Sequence, residues 1–240
     1  MASWAREELL ACSIARLIGD AAHVAVGAAS PIPATACALL KEQGRMLRVS
    51  LLHKRAGNPF TEGSRELFDL AGQGRIDVFF LGGAQIDGAA NVNLVRAGEH
   101  RFPGSFGSAF MYFAARRTIL FREEHSRRVL VPRVDFISAP GSSAPEVWRR
   151  GGPQALVTGK ALFAWQPERK RFRLESVHPG LSAAEIREHT GFDYDTAGTV
   201  PFTPSPSSED LALLRGPVAR EIAASYPEFA RRVWRMGAAA

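Results

Sequence analysis

Residues 76–113, IDVFFLGGAQIDGAANVNLVRAGEHRFPGSFGSAFMYF, carry the pattern around which the chain is organised. Val78 to Leu81 is an unbroken apolar run between Asp77 and the Gly82-Gly83 pair. Without polar alternation, such a run predicts a strand buried on both faces of a parallel sheet. Two glycine-bearing turns follow. Gly82-Gly83-Ala84-Gln85-Ile86-Asp87 leads to Asn91-Val92-Asn93, and Pro103-Gly104-Ser105-Phe106-Gly107-Ser108 leads to the apolar segment Ala109 to Phe113. The residues alone leave two readings open. Either these are ordinary tight turns, or they form a ligand-binding edge where glycines let backbone N–H groups approach phosphates or an oxyanion. Under the second reading the candidate binding residues are Gly82, Gly83, Gln85, Asn91, Asn93, Gly104, Ser105, Phe106 and Gly107.

At 240 residues, 46% of them hydrophobic, the chain is long enough for one large α/β domain with a sizeable core. No apolar stretch approaches the roughly 20 residues of a membrane span. Arg6, Glu7 and Glu8 lie in a helical pattern, unlike a signal peptide. Cys12 and Cys37, the two cysteines, imply neither a disulfide framework nor a metal site, and a cytoplasmic location is the default expectation. The net charge is +6, with a pI near 9.9. The basic residues fall in scattered pairs (Arg116-Arg117, Arg127-Arg128, Arg149-Arg150, Arg231-Arg232), without a nucleic-acid-binding motif. A substrate carrying phosphates suits that charge better than nucleic acid.

Helices are expected over Trp4–Ile18 with Ser3 as N-cap, over Ala34–Glu42 after Pro33, and over Ser64–Ala71. Strands are expected at His23–Val26, Leu47–Leu52, Thr118–Phe121 and Arg127–Val131. Leu156–Trp165 and Arg171–Leu174 read as one hairpin. Capping boxes open helices at Ser182 with Glu185 and at Ser207 with Asp210, and Pro217 and Pro227 mark further helix starts. Ser142–Gly152 is long enough for a lid or a subunit contact. The expected fold is α/β: an open mixed or parallel sheet with flanking helices, in a single domain over 1–240. Residues 200–240 are expected to form a tail that wraps the domain or a partner.

The ordered set GAQIDGAANVN, RFPGSFGSA, Glu124-His125-Ser126-Arg127-Arg128, Val134 to Gly141, Leu174 to Gly180 and Thr190-Gly191-Phe192 resembles the beta subunit of the class I coenzyme A transferases, the glutaconate CoA-transferase type included. The resemblance spans most of the chain. It implies a class I CoA-transferase-like fold, an acyl-CoA substrate and an alpha-type partner subunit in a hetero-oligomer. It implies no cofactor beyond coenzyme A itself, and neither a metal, nucleic acid nor a membrane.

Two departures from that family bear on chemistry. Ordinary members carry S-E-N-G after the second strand, and the glutamate becomes a CoA thioester. Here that place reads Leu52-His53-Lys54-Arg55-Ala56-Gly57-Asn58, with no acidic residue from Ser50 through Thr61. Lys54 is the candidate there for holding CoA phosphates or polarising a carbonyl. Ring-opening hydrolase relatives also lack the glutamate in this subunit and resemble this chain in a Glu-Gly pair nearby. The catalytic acid of those relatives lies on their alpha subunit. Glu62, in Thr61-Glu62-Gly63, is the candidate catalytic acid of this chain because its loop is expected to face the same edge, with loop capping as its structural alternative. Glu66 is expected to stabilise a helix start. The second departure is Phe106, where the family has glycine in its G-S-G-G loop. Its ring is expected either to wall the acyl pocket or to pack beneath the loop. His125, beside Glu123 and Glu124, is either a satisfied turn histidine or an acid/base with a raised pKa.

The expectation is thus one subunit of a two-subunit acyl-CoA enzyme, favouring a CoA-ester or C–C hydrolase. The alternatives are a true transferase with its nucleophile displaced or on the partner, and a non-catalytic CoA-binding subunit.

Overall fold

The structure is a computed structural model that describes residues 3–27, 29–52, 60 and 62–236. Lys54 and His53 lie outside the described residues. Along the chain run α1 (Arg6–Ile18), β1 (His23–Val26), α2 (Pro31–Glu42), β2 (Arg48–Leu51), α3 (Ser64–Gly72), β3 (Val78–Leu81), β4 (Gln85–Ile86), β5 (Val92–Asn93), β6 (Arg96–Ala97), β7 (His100–Arg101), α4 (Ser108–Ala114), β8 (Arg117–Arg122), β9 (Pro153–Thr158), β10 (Ala161–Gln166), β11 (Arg171–Val177), α5 (Ala183–His189), β12 (Asp195–Thr196), α6 (Ser208–Leu213), α7 (Ala219–Ser225) and α8 (Pro227–Trp234). They form two compact units, Met1–Pro59 with Pro204–Ala240, and Phe60–Thr203. Residues 204–240, most of the segment expected as a tail, belong to the first of these units.

In the first unit β1 and β2 pair in parallel, His23 opposite Arg48. Helices α1 and α2 pack on each other, and α6 and α7 pack on α2. Helix α1 starts later than its apolar pattern predicts, with Ala5 rather than Ser3 at the N-cap. The reason is Glu8, whose buried carboxylate accepts the Ala5 N–H at 2.8 Å and so anchors the first turn. The same carboxylate accepts Nε and Nη2 of Arg215, each at 2.8 Å, and Nε1 of Trp234 at 3.2 Å. Burial pushes the Glu8 carboxyl up, but Arg215, the Ala5 amide and Trp234 together hold it below its ordinary value. Pro217 opens a helix, as expected: Gly216 leaves helical geometry (φ −106°, ψ −105°) and separates two helices within the run Leu214–Val218, and the second of them begins at Pro217.

In the second unit the strand order is β12-β11-β10-β9-β8-β3. Strands β3, β8 and β9 run parallel, and β9-β10-β11 run antiparallel. All four β3 residues are buried, as their unbroken apolar run predicts. The sheet is therefore mixed. Two expectations are corrected here. Leu156–Trp165 is not one strand, because Thr158 Oγ1 accepts the N–H groups of Lys160 and Ala161 and turns the chain between β9 and β10. Arg127–Val131 is not a ladder strand either. Ser126 accepts the amides of Val129 and Leu130 in a turn, and the segment meets Ile86 through a single bridge.

The two reciprocal capping boxes at Ser182/Glu185 and Ser207/Asp210 are as the pattern indicates, whereas α2 opens earlier than expected, at Pro31 with Ser30 as its N-cap. Among the described residues, no helix is long and apolar enough to cross a membrane.

Candidate functional site

The glycine pair after β3 is explained by close approach of chain to chain. A Cβ on Gly82 would lie 2.7 Å from the Phe121 carbonyl oxygen, and one on Gly83 2.5 Å from Val92. This packing starts the hairpin of β4 and β5, in which Gln85 and Asn93 stand opposite each other.

Of Gln85, Asn91 and Asn93, expected to bind substrate, Asn91 bonds to Asp87, a residue that sequence reasoning passed over, and Gln85 bonds to Asn93. Asp87 Oδ1 accepts the amides of Ala89 (3.0 Å) and Asn91 (3.1 Å). Its Oδ2 accepts Asn91 Nδ2 (3.1 Å) and the amide of Val134 (3.3 Å). Gln85 Oε1 accepts Asn93 Nδ2 (2.7 Å) and the Asp135 amide (3.0 Å). Asn91 Oδ1 accepts the Gly141 amide at 3.1 Å, and Asn93 Oδ1 accepts the amides of Val95 and Arg96. Ser138 Oγ donates to Val92 and accepts from Leu94. Asp87, Gln85 and Asn93 are buried. These side chains satisfy one another and pin residues 134–141 onto the hairpin, as buried polar groups must be satisfied.

The second glycine-bearing turn is open. Gly104 sits at φ +111°, a backbone that only glycine adopts cheaply, and a Cβ added there would meet nothing within 4 Å. Phe106 also has positive φ, +47°, where a phenylalanine is strained by roughly 1–2 kcal/mol. Its ring does not pack beneath the loop. It is 84% exposed and leans on Phe68 of α3 at 5.9 Å between centroids. Phe68 in turn meets Phe110 of α4 edge-on at 5.6 Å. Gly107 has no room for a Cβ because the Phe68 ring fills that space, 2.1 Å away. Ser105 gives its carbonyl to the Ser108 amide at 2.9 Å, closing the turn into α4.

Helix α4 joins the two places. Phe110 points to Phe68, while the buried Tyr112 donates its hydroxyl proton to the Ala90 carbonyl in the hairpin turn at 3.0 Å. Arg149 donates to the Tyr112 carbonyl and to that of Pro140, and lies 4.8 Å over the Tyr112 ring. Gly151 presses against the Ala115 carbonyl. The segment expected as a lid or subunit contact, 142–152, is thus anchored at Arg149 and Gly151.

Glu62 precedes α3, the helix that carries Phe68. Its side chain is 57% exposed and ion-paired with Arg65, and its amide donates to the Glu66 carboxylate at 2.8 Å. Glu66 therefore caps the start of α3, as expected of an acid there. His125 takes the satisfied alternative. It is buried, with Nδ1 2.7 Å from Thr158 Oγ1 and Nε2 3.0 Å from Thr190 Oγ1. Burial pushes its pKa down to about 4, the reverse of the raised value an acidic setting suggests, because the Glu124 carboxylate turns to Ser126 and Arg128 instead. Both cysteines are buried thiols, pushed up to about 12 by burial.

What emerges is an α/β chain whose mixed sheet carries a rigid polar hairpin and an open aromatic-glycine loop. A family model described as Coenzyme A transferase matches residues 46–189, and the chain belongs to that family. It is 30% identical over 162 residues to the B subunit of 3-oxoadipate CoA-transferase from Pseudomonas knackmussii, covering 63% of this chain and 62% of that one. It is 28% identical over 163 residues to the cholesterol ring-cleaving hydrolase IpdB subunit of Rhodococcus jostii, covering 63% and 62%. The matched part thus spans less than two thirds of these curated relatives. The solved structure of Rhodococcus jostii IpdAB superposes with TM-score 0.79 at 23% identity, over 90% of this chain and 94% of that one. The decarboxylase AibA/AibB superposes with TM-score 0.75 at 26% identity, over 89% and 94%. These relatives are named for transfer, hydrolysis and decarboxylation, and both solved structures carry two subunit names.

Proposed function

We propose that this chain is the beta-type subunit of a two-subunit enzyme acting on a CoA thioester, with water as the acceptor in hydrolysis of a CoA ester or of a C–C bond. One observation carries the choice of water. Strand β2 ends at Leu51, and the sequence that follows holds no Asp or Glu up to Thr61, so no carboxylate stands there to take the acyl group. Glu62, the first acid beyond it, is exposed and engaged by Arg65.

In CoA-ester hydrolysis water attacks the acyl carbon, the C–S bond breaks, and CoA leaves as thiolate that takes up the proton lost by water. In C–C hydrolysis water attacks a ketone carbon of the acyl group, the C–C bond breaks, and the departing carbanion takes up that proton while the thioester stays intact. Backbone N–H groups of the Gly104–Gly107 loop are the donors for the oxyanion. The hub of Gln85, Asp87, Asn91 and Asn93 holds the hairpin rigid beside the loop's helix, so its residues act through position. The alpha-type partner carries the remaining groups. No cofactor is invoked beyond the CoA of the substrate.

The likeness to the 3-oxoadipate transferase favours a second reading, transfer with the nucleophile on Glu62 or on the partner. Both are tested on the chain co-expressed with an alpha-type subunit and given a panel of acyl-CoAs in ¹⁸O-labelled water. Label in the acid product, and no borohydride-trapped peptide from this chain, is the expected result. A covalent CoA adduct on Glu62 would overturn it in favour of transfer. CoA binding without turnover in any acyl-CoA would leave a non-catalytic subunit.

A further inference from the structure

Phe106 is held where glycine would be unstrained, yet its ring buries little of itself. Packing therefore does not account for a phenylalanine at this position, and backbone strain concentrated at one exposed side chain points to a ligand contact. The ring is not isolated. Phe68 supports it from α3, and Phe110, 42% exposed, extends the same surface from α4. Glycines complete the surface: Phe68 fills the space beside Gly107, and Phe110 lies 3.7 Å from the Cβ position of Gly72. Rings and glycine backbone are what these five residues offer, with no charged group among them.

We infer that Phe106, Phe68 and Phe110 form the acyl-selecting surface of the site, and that the acyl group it takes is apolar and bulky, such as a ring. This rests on the CoA-thioester reading above. A second carboxylate on the acyl group would lose its water against the rings and gain no cation from them. An alicyclic group instead covers the exposed ring faces, and burying about 50–60 Å² of carbon is worth about a tenfold preference. Because the backbone strain at Phe106 is present before any substrate arrives, the surface is preformed, and α3 and α4 hold it in place from both sides.

The probes are cyclohexanecarbonyl-CoA, glutaryl-CoA and free CoA, titrated calorimetrically into the complex of this chain with its alpha-type partner. Wild type is expected to bind cyclohexanecarbonyl-CoA about tenfold more tightly than glutaryl-CoA. Phe106→Gly should cut that preference to within about twofold while free CoA affinity holds. Phe68→Leu, which keeps the packing against Gly107, should reduce it partway, and circular dichroism confirms that each variant is folded. An unchanged preference in Phe106→Gly overturns the inference. So does an equal loss for all three probes, which would place the ring on the CoA moiety, or loss of the partner subunit, which would make it a subunit contact. If wild type binds none of the three, the CoA-thioester reading itself falls, and this inference with it.

Discussion

Two glycine-bearing turns follow the same buried strand system, and they use their polar and aromatic residues in opposite ways. In the hairpin of residues 85–93, the carboxylate of Asp87 and the amides of Gln85, Asn91 and Asn93 bond to one another and to the amides of residues 134, 135 and 141. In the loop of residues 103–107, a strained phenylalanine stands 84% exposed and leans on a neighbouring ring. The first arrangement stores stability, and the second gives some up. A residue that resembles a family's binding motif is therefore not automatically free to bind. Its hydrogen-bonding capacity has first to be left over from folding.

The sharpest way to break the comparison is Asp87→Ala. Removing a buried carboxylate that accepts from four N–H donors leaves those donors unsatisfied, a loss of about 3–5 kcal/mol in urea unfolding. A loss below about 1 kcal/mol would mean that the hub does not hold residues 134–141.

Next is pH. The folded value of about 4 for His125 lies below the ordinary 6.5, so on acidification the unfolded chain takes up the proton first. The stability that this histidine contributes is complete above pH 6.5 and is lost as pH falls toward 4, on the order of 3 kcal/mol in all. Lys160, His189 and His178 face the same imidazole and add to the effect. His125→Gln should flatten the stability profile between those pH values, and an unchanged slope would assign it to other groups.

At the open loop the direction reverses. Phe106→Gly should raise stability by about 1 kcal/mol, because the positive φ costs glycine nothing and little ring area is lost. Destabilisation would show that the ring packs in the native state. Smallest of all, Glu62→Gln should change stability by less than about 0.5 kcal/mol, since its ion pair with Arg65 is exposed on both sides. Turnover should also persist in that variant under the hydrolase reading.

Short-range chemistry was the legible part of this molecule. Val78–Leu81 announces a strand buried on both faces by lacking any polar alternation, and Ser182/Glu185 and Ser207/Asp210 announce helix starts by their spacing. Val129–Val131 carries the same apolar signal as a strand but is buried against Ile86 by a turn, because burial does not require a ladder. The site was half legible. The glycines and Phe106 stand out locally. Asp87 does not, since one of the amides it accepts belongs to Val134, 47 positions on, and nothing beside it distinguishes it from a surface acid. Phe68 is hidden for the same reason, its partner lying on another loop.

The clasp between Glu8 and Arg215 sets an order of events during synthesis. Residues 60–203 form a contiguous unit, whereas the first unit joins α1 and α2 to helices of residues 208–234 that are made after it. At about 5–20 residues per second, the interval between making the two partners of the clasp is roughly 10–40 s. During that time the apolar faces of α1 and α2, including Leu9, Leu10, Ile14, Leu39 and Leu40, have nothing from the later helices to cover them. Until then the nascent chain offers α1 and α2 to chaperones and proteases without that cover.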